Sequence, residues 1–261
     1  MIDRVSNVSP SLDESSLVYS IDDYLRRRGH HRAGSMWGDL LRAIEQEYPG
    51  QGTSIETGCG TSTILLSNLS RSHTAFCIDD RNSENSSVTF VLGCPLFNQP
   101  CVDFIYGPTQ VTLPGFEFKQ ELDLALIDGP HAFPFAELEY YYIYPHLKPN
   151  ALLIVDDVHI PTVFNLYRFL KEDKMFSFVR KVHTTAIFRR TESPTLPDPL
   201  GEGWLQQEFN RRHFPVYEGY EKLSGHVPGW VKHLVPVRIR AAATALLRNA
   251  RKRPIGSFCG R

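Results

Sequence analysis

A short apolar strand that runs through a glycine-rich turn into a helix constrains the fold of this chain most strongly. The segment SIETGCGTSTILLS spans residues 54–67, with Gly58 and Gly60 in the turn. Glycine lets the backbone approach a ligand closely, and the N-terminus of the following helix carries a partial positive charge. The segment therefore predicts one unit of an α/β sheet, with a polar ligand held at the turn.

Further strands and helices alternate along the chain. Because alternation of this kind indicates a parallel sheet with right-handed crossovers, we expect a doubly wound α/β fold. A terminal pair of runs lies too close together for a crossover helix and predicts an antiparallel hairpin. The expected sheet is seven-stranded and mostly parallel. Its strands are predicted at residues 53–56, 74–79, 102–106, 123–128, 151–156, 176–182 and 184–190, with helices at 20–33, 35–48, 62–70, 85–95, 134–146 and 163–173.

Composition divides the chain into three expected regions. Residues 1–33 are expected to form an N-terminal arm with a helix, and residues 34–191 a ligand-binding domain. Residues 192–261 comprise a Pro/Gly-rich linker and a basic helical tail. The tail helix has one apolar side and one basic side. We expect it to pack on its own domain or a partner subunit, with a peripheral contact to a membrane surface or an anionic polymer as the alternative.

Charge and cysteine content exclude several classes of protein. The formal net charge of −1 gives no general attraction to nucleic acid, so no nucleic-acid partner is expected. The sequence starts without the features of a signal peptide, and no apolar run is long enough to span a bilayer. The five cysteines form no CxxC pair, which predicts free thiols in a reducing cytoplasm.

Polar or acidic residues follow each of the first five predicted strands. Strand one ends in Glu56, strand two in Asp79 and Asp80, and strand three in YGPTQ at residues 106–110. Strand four ends in IDGPH and strand five in VDDVH. Ligands of open α/β sheets bind at the carboxyl ends of the strands, where the strand order reverses. The five strand ends together therefore predict a cofactor cleft.

The turn GCGTS lacks the third glycine of the dinucleotide-binding fingerprint and the lysine of the P-loop. Residues 34–190 instead resemble the class I S-adenosylmethionine-dependent methyltransferases, and most closely the metal-dependent O-methyltransferases of the catechol, caffeoyl-CoA and antibiotic-tailoring type. The resemblance implies S-adenosylmethionine as cofactor. The cofactor-binding residues that it implies are Glu56, Gly58 and Gly60 near the methionine part, Ser62 near its carboxylate, Asp79 (rather than Asp80) on the ribose, Thr109 and Gln110 at the adenine, and Asp128.

Three carboxylates at the ends of strands four and five predict a metal site. Neighbouring strands lie about 4.8 Å apart, so Asp128, Asp156 and Asp157 could share one ion. Crowded carboxylates repel each other and raise at least one pKa, which a divalent cation with oxygen ligands would relieve. Mg²⁺ fits this donor set. The alternative is that the three residues only cap helices and bind loop N–H groups.

Two histidines are candidates for the general base. His131 follows Asp128 by three residues, and the resemblance places it where the catechol-type enzymes carry a lysine that accepts the hydroxyl proton. Histidine is a better base near neutral pH when it is unprotonated. His159 follows the Asp156–Asp157 pair and could serve instead.

These features together predict an enzyme that methylates a hydroxyl on a small molecule such as a sugar, a polyketide or a catechol-like ring, with Mg²⁺. A homo-oligomer is compatible with the sequence. Three alternatives stay open. They are a metal-independent methyltransferase with another acceptor, a non-catalytic cofactor-binding protein of the same fold, and an NAD-dependent oxidoreductase, which the glycine pattern disfavours.

Overall fold

The computed structural model describes residues 16–28, 36–193 and 207–213. Its helices are α1 (Leu17–Arg28), α2 (Gly38–Glu47), α3 (Thr61–Leu69), α4 (Ser87–Leu92), α5 (Thr109–Thr112), α6 (Phe135–Ile143), α7 (Pro161–Glu172) and α8 (Glu208–His213). Its strands are β1 (Thr53–Thr57), β2 (Ser72–Cys77), β3 (Val102–Tyr106), β4 (Leu122–Ile127), β5 (Leu147–Val155), β6 (Phe176–Val182) and β7 (Thr185–Arg190). Within the described ranges, no helix is long and apolar enough to cross a membrane.

The strands form one seven-stranded sheet in the order β3-β2-β1-β4-β5-β7-β6. Strands β1 to β5 run parallel to one another, whereas β7 pairs antiparallel with both β5 and β6. The predicted fold class is therefore confirmed, including the terminal hairpin. The strand order reverses between β1 and β4, which places a crevice outside the carboxyl ends of these two strands.

Helices cover both faces of the sheet. The apolar sides of α1, α2 and α3 bury one face together with alternate residues of the central strands, such as Leu124, Leu126 and Ile154. The residues between them on the strands point to the opposite face, where α6 and α7 lie, and Ala125 and Leu153 are fully buried there. Burial on both faces explains why the central strands read as continuous apolar runs.

The observed boundaries of some strands and helices differ from the predicted ones. The strand predicted from residue 151 starts at Leu147, because Leu147 pairs with Leu122 across a register shift that accommodates Asn150 at a φ of +70°. The first helix covers residues 17–28 rather than 20–33. The one-turn helix α5 lies where only a polar strand end was predicted.

The chain divides into two units, Met1–Thr195 and Leu196–Arg261. The predicted boundaries at residues 33 and 191 stay predictions. The predicted basic tail helix at residues 236–253 lies outside the described residues, as do most of the linker and the start of the N-terminal arm. In the second unit, the described segment contains α8, which the sequence analysis did not predict.

Candidate active site

A cavity of about 340 Å³ opens at the carboxyl ends of β1, β2, β3 and β4. Four of the predicted cofactor-binding residues line it, namely Gly58, Thr109, Gln110 and Asp128. The rest of the wall is largely apolar and includes Phe76, Ile78, Val88, Pro108 and Phe135. The cavity therefore lies at the crevice that the sheet order defines.

Gly58 lines the cavity at a position where a side chain would be strained. Its φ is +116°, a conformation that L-residues with side chains rarely adopt. A Cβ atom at Gly58 would lie 2.7 Å from the carbonyl oxygen of Asp128. The backbone N–H of Gly58 donates to the carbonyl of Phe76 at 2.7 Å. The turn thus packs directly between the ends of β2 and β4.

Glu56 lies beneath the glycine turn and is 1% exposed. Ser62 donates to its carboxylate at 2.6 Å, and Thr63 donates to it as well. His73 lies with Nε2 3.1 Å from the same carboxylate and Nδ1 2.8 Å from the Ser54 hydroxyl. Because a carboxylate only accepts, the proton of His73 belongs on Nε2, and Ser54 donates to Nδ1. This buried network fixes the start of α3 against β1.

Glu56, Gly60 and Ser62 are not among the residues that line the cavity. Both carboxylate oxygens of Glu56 are engaged by neighbouring side chains, and the Ser62 hydroxyl is committed to Glu56. The backbone N–H of Gly60 donates to the Thr63 hydroxyl at 2.9 Å. Their observed contacts therefore hold the turn in shape.

The two aspartates after β2 have different environments. Asp79 is exposed and forms a two-pronged ion pair with Arg81, at 2.7 and 2.6 Å, which holds the pKa of its carboxyl below the ordinary value. Asp80 lines the cavity, but its carboxylate accepts from the Ser86 hydroxyl and the backbone N–H groups of Ser87 and Val88. Asp80 therefore caps α4, whereas Asp79 is held at the surface by the side chain and the backbone N–H of Arg81.

The carboxylates after β4 and β5 gather around His131. Nε2 of His131 lies 3.6 Å from Asp128 and 3.4 Å from Asp157. This atom is inaccessible to water and has no hydrogen-bond partner. The Thr162 hydroxyl donates to the backbone carbonyl of His131 and so ties the loop to α7. His159 is more exposed, with Nδ1 3.5 Å from the second oxygen of Asp157.

Asp156 faces a different direction from its neighbour Asp157. Its Oδ1 accepts from the Thr185 hydroxyl at 2.5 Å and from the backbone N–H of Asp157 at 2.7 Å. It is thus turned toward β7. Across residues 16–28, 36–193 and 207–213, no three or more His, Cys, Asp or Glu side chains form a group that could hold a metal ion. The carboxylates have the chemistry that Mg²⁺ prefers, but their arrangement does not fit the ion.

Burial and neighbouring charges shift two pKa values in this cluster. Loss of solvation raises the pKa of the Asp128 carboxyl to about 7, against the influence of His131, and the nearby carboxylate of Asp156 adds to the rise. The carboxylate of Asp128 raises the pKa of His131, although partial burial opposes it, and Asp157 adds to the effect. A proton that arrives on His131 is therefore stabilised by the carboxylates beside it.

Glu139 on α6 was missed by the sequence analysis. It is fully buried next to the cavity and accepts hydrogen bonds from the Thr57 and Thr109 hydroxyls, both at 2.7 Å. The sequence does carry a signal, because Ala136, Glu139 and Ile143 fall on the one buried side of this helix. A charged residue on a buried helix side needs partners, and these come from distant segments of the chain.

The sheet order and the cavity at its switch point are those expected of a class I methyltransferase. Residues 55–158, from β1 to the loop after β5, match the family model of a methyltransferase domain. No curated protein matches the chain. The match confirms both the resemblance to class I methyltransferases and the prediction of an enzyme.

Solved structures agree with this fold. The O-methyltransferase TomG from Streptomyces achromogenes, involved in tomaymycin synthesis and determined in complex with SAM, is 14% identical with a TM-score of 0.52. The match covers 70% of this chain and 93% of TomG. An O-methyltransferase from Bacillus cereus in complex with SAH has the same identity and TM-score, over 72% of this chain and 95% of the other. At this identity, the similarity shows the fold.

Proposed function

We propose that this enzyme transfers the methyl group of S-adenosylmethionine to a hydroxyl oxygen of a small molecule such as a sugar, a polyketide or a catechol-like ring. The observation that carries the proposal is the cavity at the strand ends, which Asp128 lines, with His131 held beside that carboxylate at 3.6 Å. Two structures of the same fold are O-methyltransferases in complex with SAM or SAH. Both support the cofactor and the type of acceptor.

The cofactor would occupy the cavity with its methionine part near Gly58 and Asp128 and its adenine near Thr109 and Gln110. Asp79 would bind the ribose hydroxyls, because its carboxylate needs only to leave an exposed ion pair with Arg81. Asp80 is the weaker candidate, since its carboxylate already accepts three hydrogen bonds at α4. Glu56, Gly60 and Ser62 would act by holding the glycine turn.

His131 would act as the general base, with His159 as the alternative. When bound, S-adenosylmethionine supplies an activated methyl group, so the protein must mainly position the acceptor oxygen and remove its proton. Nε2 of His131 is shielded from water beside two carboxylates, so the imidazole would accept the proton on its other ring nitrogen, Nδ1. Asp128 and Asp157, at 3.6 and 3.4 Å, would stabilise the imidazolium that forms. His159 is ion-paired to Asp157 from a more exposed position.

The proposed dependence on Mg²⁺ concerns the carboxylates after β4 and β5. The crowding of Asp128, Asp156 and Asp157 favours a cation, but the turn of Asp156 toward β7 does not. We therefore assign no step to a metal. Treatment with EDTA followed by addition of Mg²⁺ distinguishes the two forms of the proposal: a metal-dependent enzyme loses activity and regains it, whereas a metal-independent enzyme is unaffected.

The cysteines bear on the cellular setting of the enzyme. The four cysteines of the described residues, Cys59, Cys77, Cys94 and Cys101, are free thiols. Free thiols fit a reducing compartment, so we propose a cytoplasmic location. The acceptor would be a small molecule, and no residue is assigned to its recognition.

The test combines cofactor binding with methyl transfer. Calorimetry should show that the protein binds S-adenosylmethionine and its product, and a radioactive methyl group should appear on members of a panel of hydroxylated sugars, polyketides and catechols. The variant His131→Asn should keep cofactor binding and lose about 10²- to 10⁴-fold of kcat, the usual contribution of a general base. Failure to bind either cofactor form would refute the proposal. Full activity of His131→Asn would move the role of base to His159, which His159→Asn then tests.

A further inference from the structure

A buried carboxylate joins three separate segments of the cavity wall. Glu139 accepts from the Thr57 hydroxyl at 2.7 Å through Oε2 and from the Thr109 hydroxyl at 2.7 Å through Oε1. The same carboxylate lies directly against Gly129, where a Cβ atom would lie 2.0 Å from Oε1. Thr57 ends β1, Thr109 starts α5 and Gly129 follows β4. One side chain on α6 therefore contacts the ends of three different crossover units.

Each of these partners lies at or beside the cavity. Thr109 and Gly129 line it, and Thr57 directly precedes Gly58, which lines it too. The Thr57 hydroxyl also accepts from the backbone N–H of Asp128 at 3.1 Å. The Gly129 segment leads to His131, which is two residues further along the loop. The position of Glu139 thus affects both the residues that line the cavity and the loop that carries the candidate base.

The fit around Glu139 is chemically and sterically specific. The Thr57 and Thr109 hydroxyls both donate, so the carboxylate form, which only accepts, satisfies them together. Burial raises the pKa of Glu139, and the hydroxyls of Thr57 and Thr109 oppose the rise. A Cβ atom on Gly129 would lie 2.0 Å from Oε1 of Glu139, so only glycine lets the loop approach this closely. Buried acceptors of this kind are costly unless every partner is present.

We propose that Glu139 is a positioning residue for methyl transfer. It holds Thr109, at the proposed adenine site, and the loop that carries His131 in fixed positions relative to the glycine turn. The inference rests on the proposed function, because it concerns the same cavity. Glu139 itself does not line the cavity and acts through its three partners. Its loss should therefore weaken cofactor binding and slow the transfer step in a protein that is still folded.

The test compares Glu139→Gln with a matched control on the same helix. Glutamine keeps the shape but presents an NH₂ group to at least one donor, so we expect Kd for S-adenosylhomocysteine to rise about tenfold, the size of one lost hydrogen bond to a charged group. We also expect kcat to fall. The control Glu137→Gln changes a half-buried carboxyl whose Oε2 has no hydrogen-bond partner, and it should leave both quantities unchanged.

A second variant separates positioning from a general loss of stability. Thr109→Val removes the hydroxyl that donates to Glu139 and should raise Kd. In the double variant, the effects on Kd should be less than additive, since both changes remove the same hydrogen bond. All measurements are made below the unfolding transition of each variant, as followed by circular dichroism.

The outcomes distinguish this inference from the proposed function. Wild-type protein that binds neither S-adenosylmethionine nor its product overturns the proposed function and the inference with it. Wild-type protein that binds and transfers, beside a folded Glu139→Gln variant with Kd and kcat within about twofold of wild type, overturns the inference alone. A variant that only lowers the melting temperature would likewise give Glu139 a purely structural role.

Discussion

Replacement of His73 by leucine tests the buried network beneath the glycine turn. His73 is fully buried, and its Nε2 donates to the Glu56 carboxylate at 3.1 Å. Leucine fills a similar volume, so the main loss is the N–H that the buried carboxylate requires, a cost of about 1.5–3 kcal/mol. Ser54 keeps its hydrogen bond to Ser70 at 2.6 Å and adds little to this cost. We expect the free energy of unfolding to fall by about 2–3 kcal/mol.

Urea and thermal unfolding measure this loss. For a domain of this size, the expected loss corresponds to a fall in Tm of roughly 4–12 °C. The matched control is His146→Leu, since His146 stacks on Phe118 with ring centroids 3.9 Å apart and is half-buried. Leucine keeps most of that apolar contact, so the control should lose about 1 kcal/mol or less. Equal losses in the two variants would refute the argument that the hydrogen bond to Glu56 carries the effect.

Two further predictions concern the site. Because His131 must be neutral to accept a proton, kcat should rise with pH through the raised pKa of His131. Asp157→Asn should move the midpoint of the pH–rate profile to lower pH, because it removes one of the charges that raise this pKa. An unshifted midpoint would contradict this electrostatic assignment. Gly58→Ala should lower the free energy of unfolding by about 1–3 kcal/mol and weaken cofactor binding, because of the φ of +116° and the approach of Asp128. Its control, Gly115→Ala, meets no atom within 4 Å, and comparable losses in both variants by chemical unfolding would count against the steric argument.

Strands β4 and β5 could be read from the sequence because their central residues are buried on both faces, so each appears as an apolar run that ends in a polar residue. The edge strands β3 and β6 are only partly buried, and their boundaries also match the predicted ones. The glycine turn was equally readable, since Gly58 has a conformation that few other residues adopt. Boundaries failed where a local signal conflicted with pairing, as at Asn150 within β5.

The candidate site could be predicted only in part. The sequence placed Asp128, Asp156 and Asp157 at neighbouring strand ends, and in the structure Asp128 and Asp157 both lie beside His131. The direction in which Asp156 turns depends on the hydroxyl of Thr185, almost thirty residues away along the chain. The partners of a side chain across the sheet are not encoded in its local pattern.

The sequence by itself determined the order of strands and helices, the terminal hairpin and the polar edge of the sheet, because these follow from local periodicity and from the special geometry of glycine. Only the tertiary structure decided that Glu56 serves the glycine turn through His73 and that Glu139 joins three wall segments. The physical reason is that a buried carboxylate must find every one of its donors within hydrogen-bond distance, and those donors come from segments brought together only when the sheet forms.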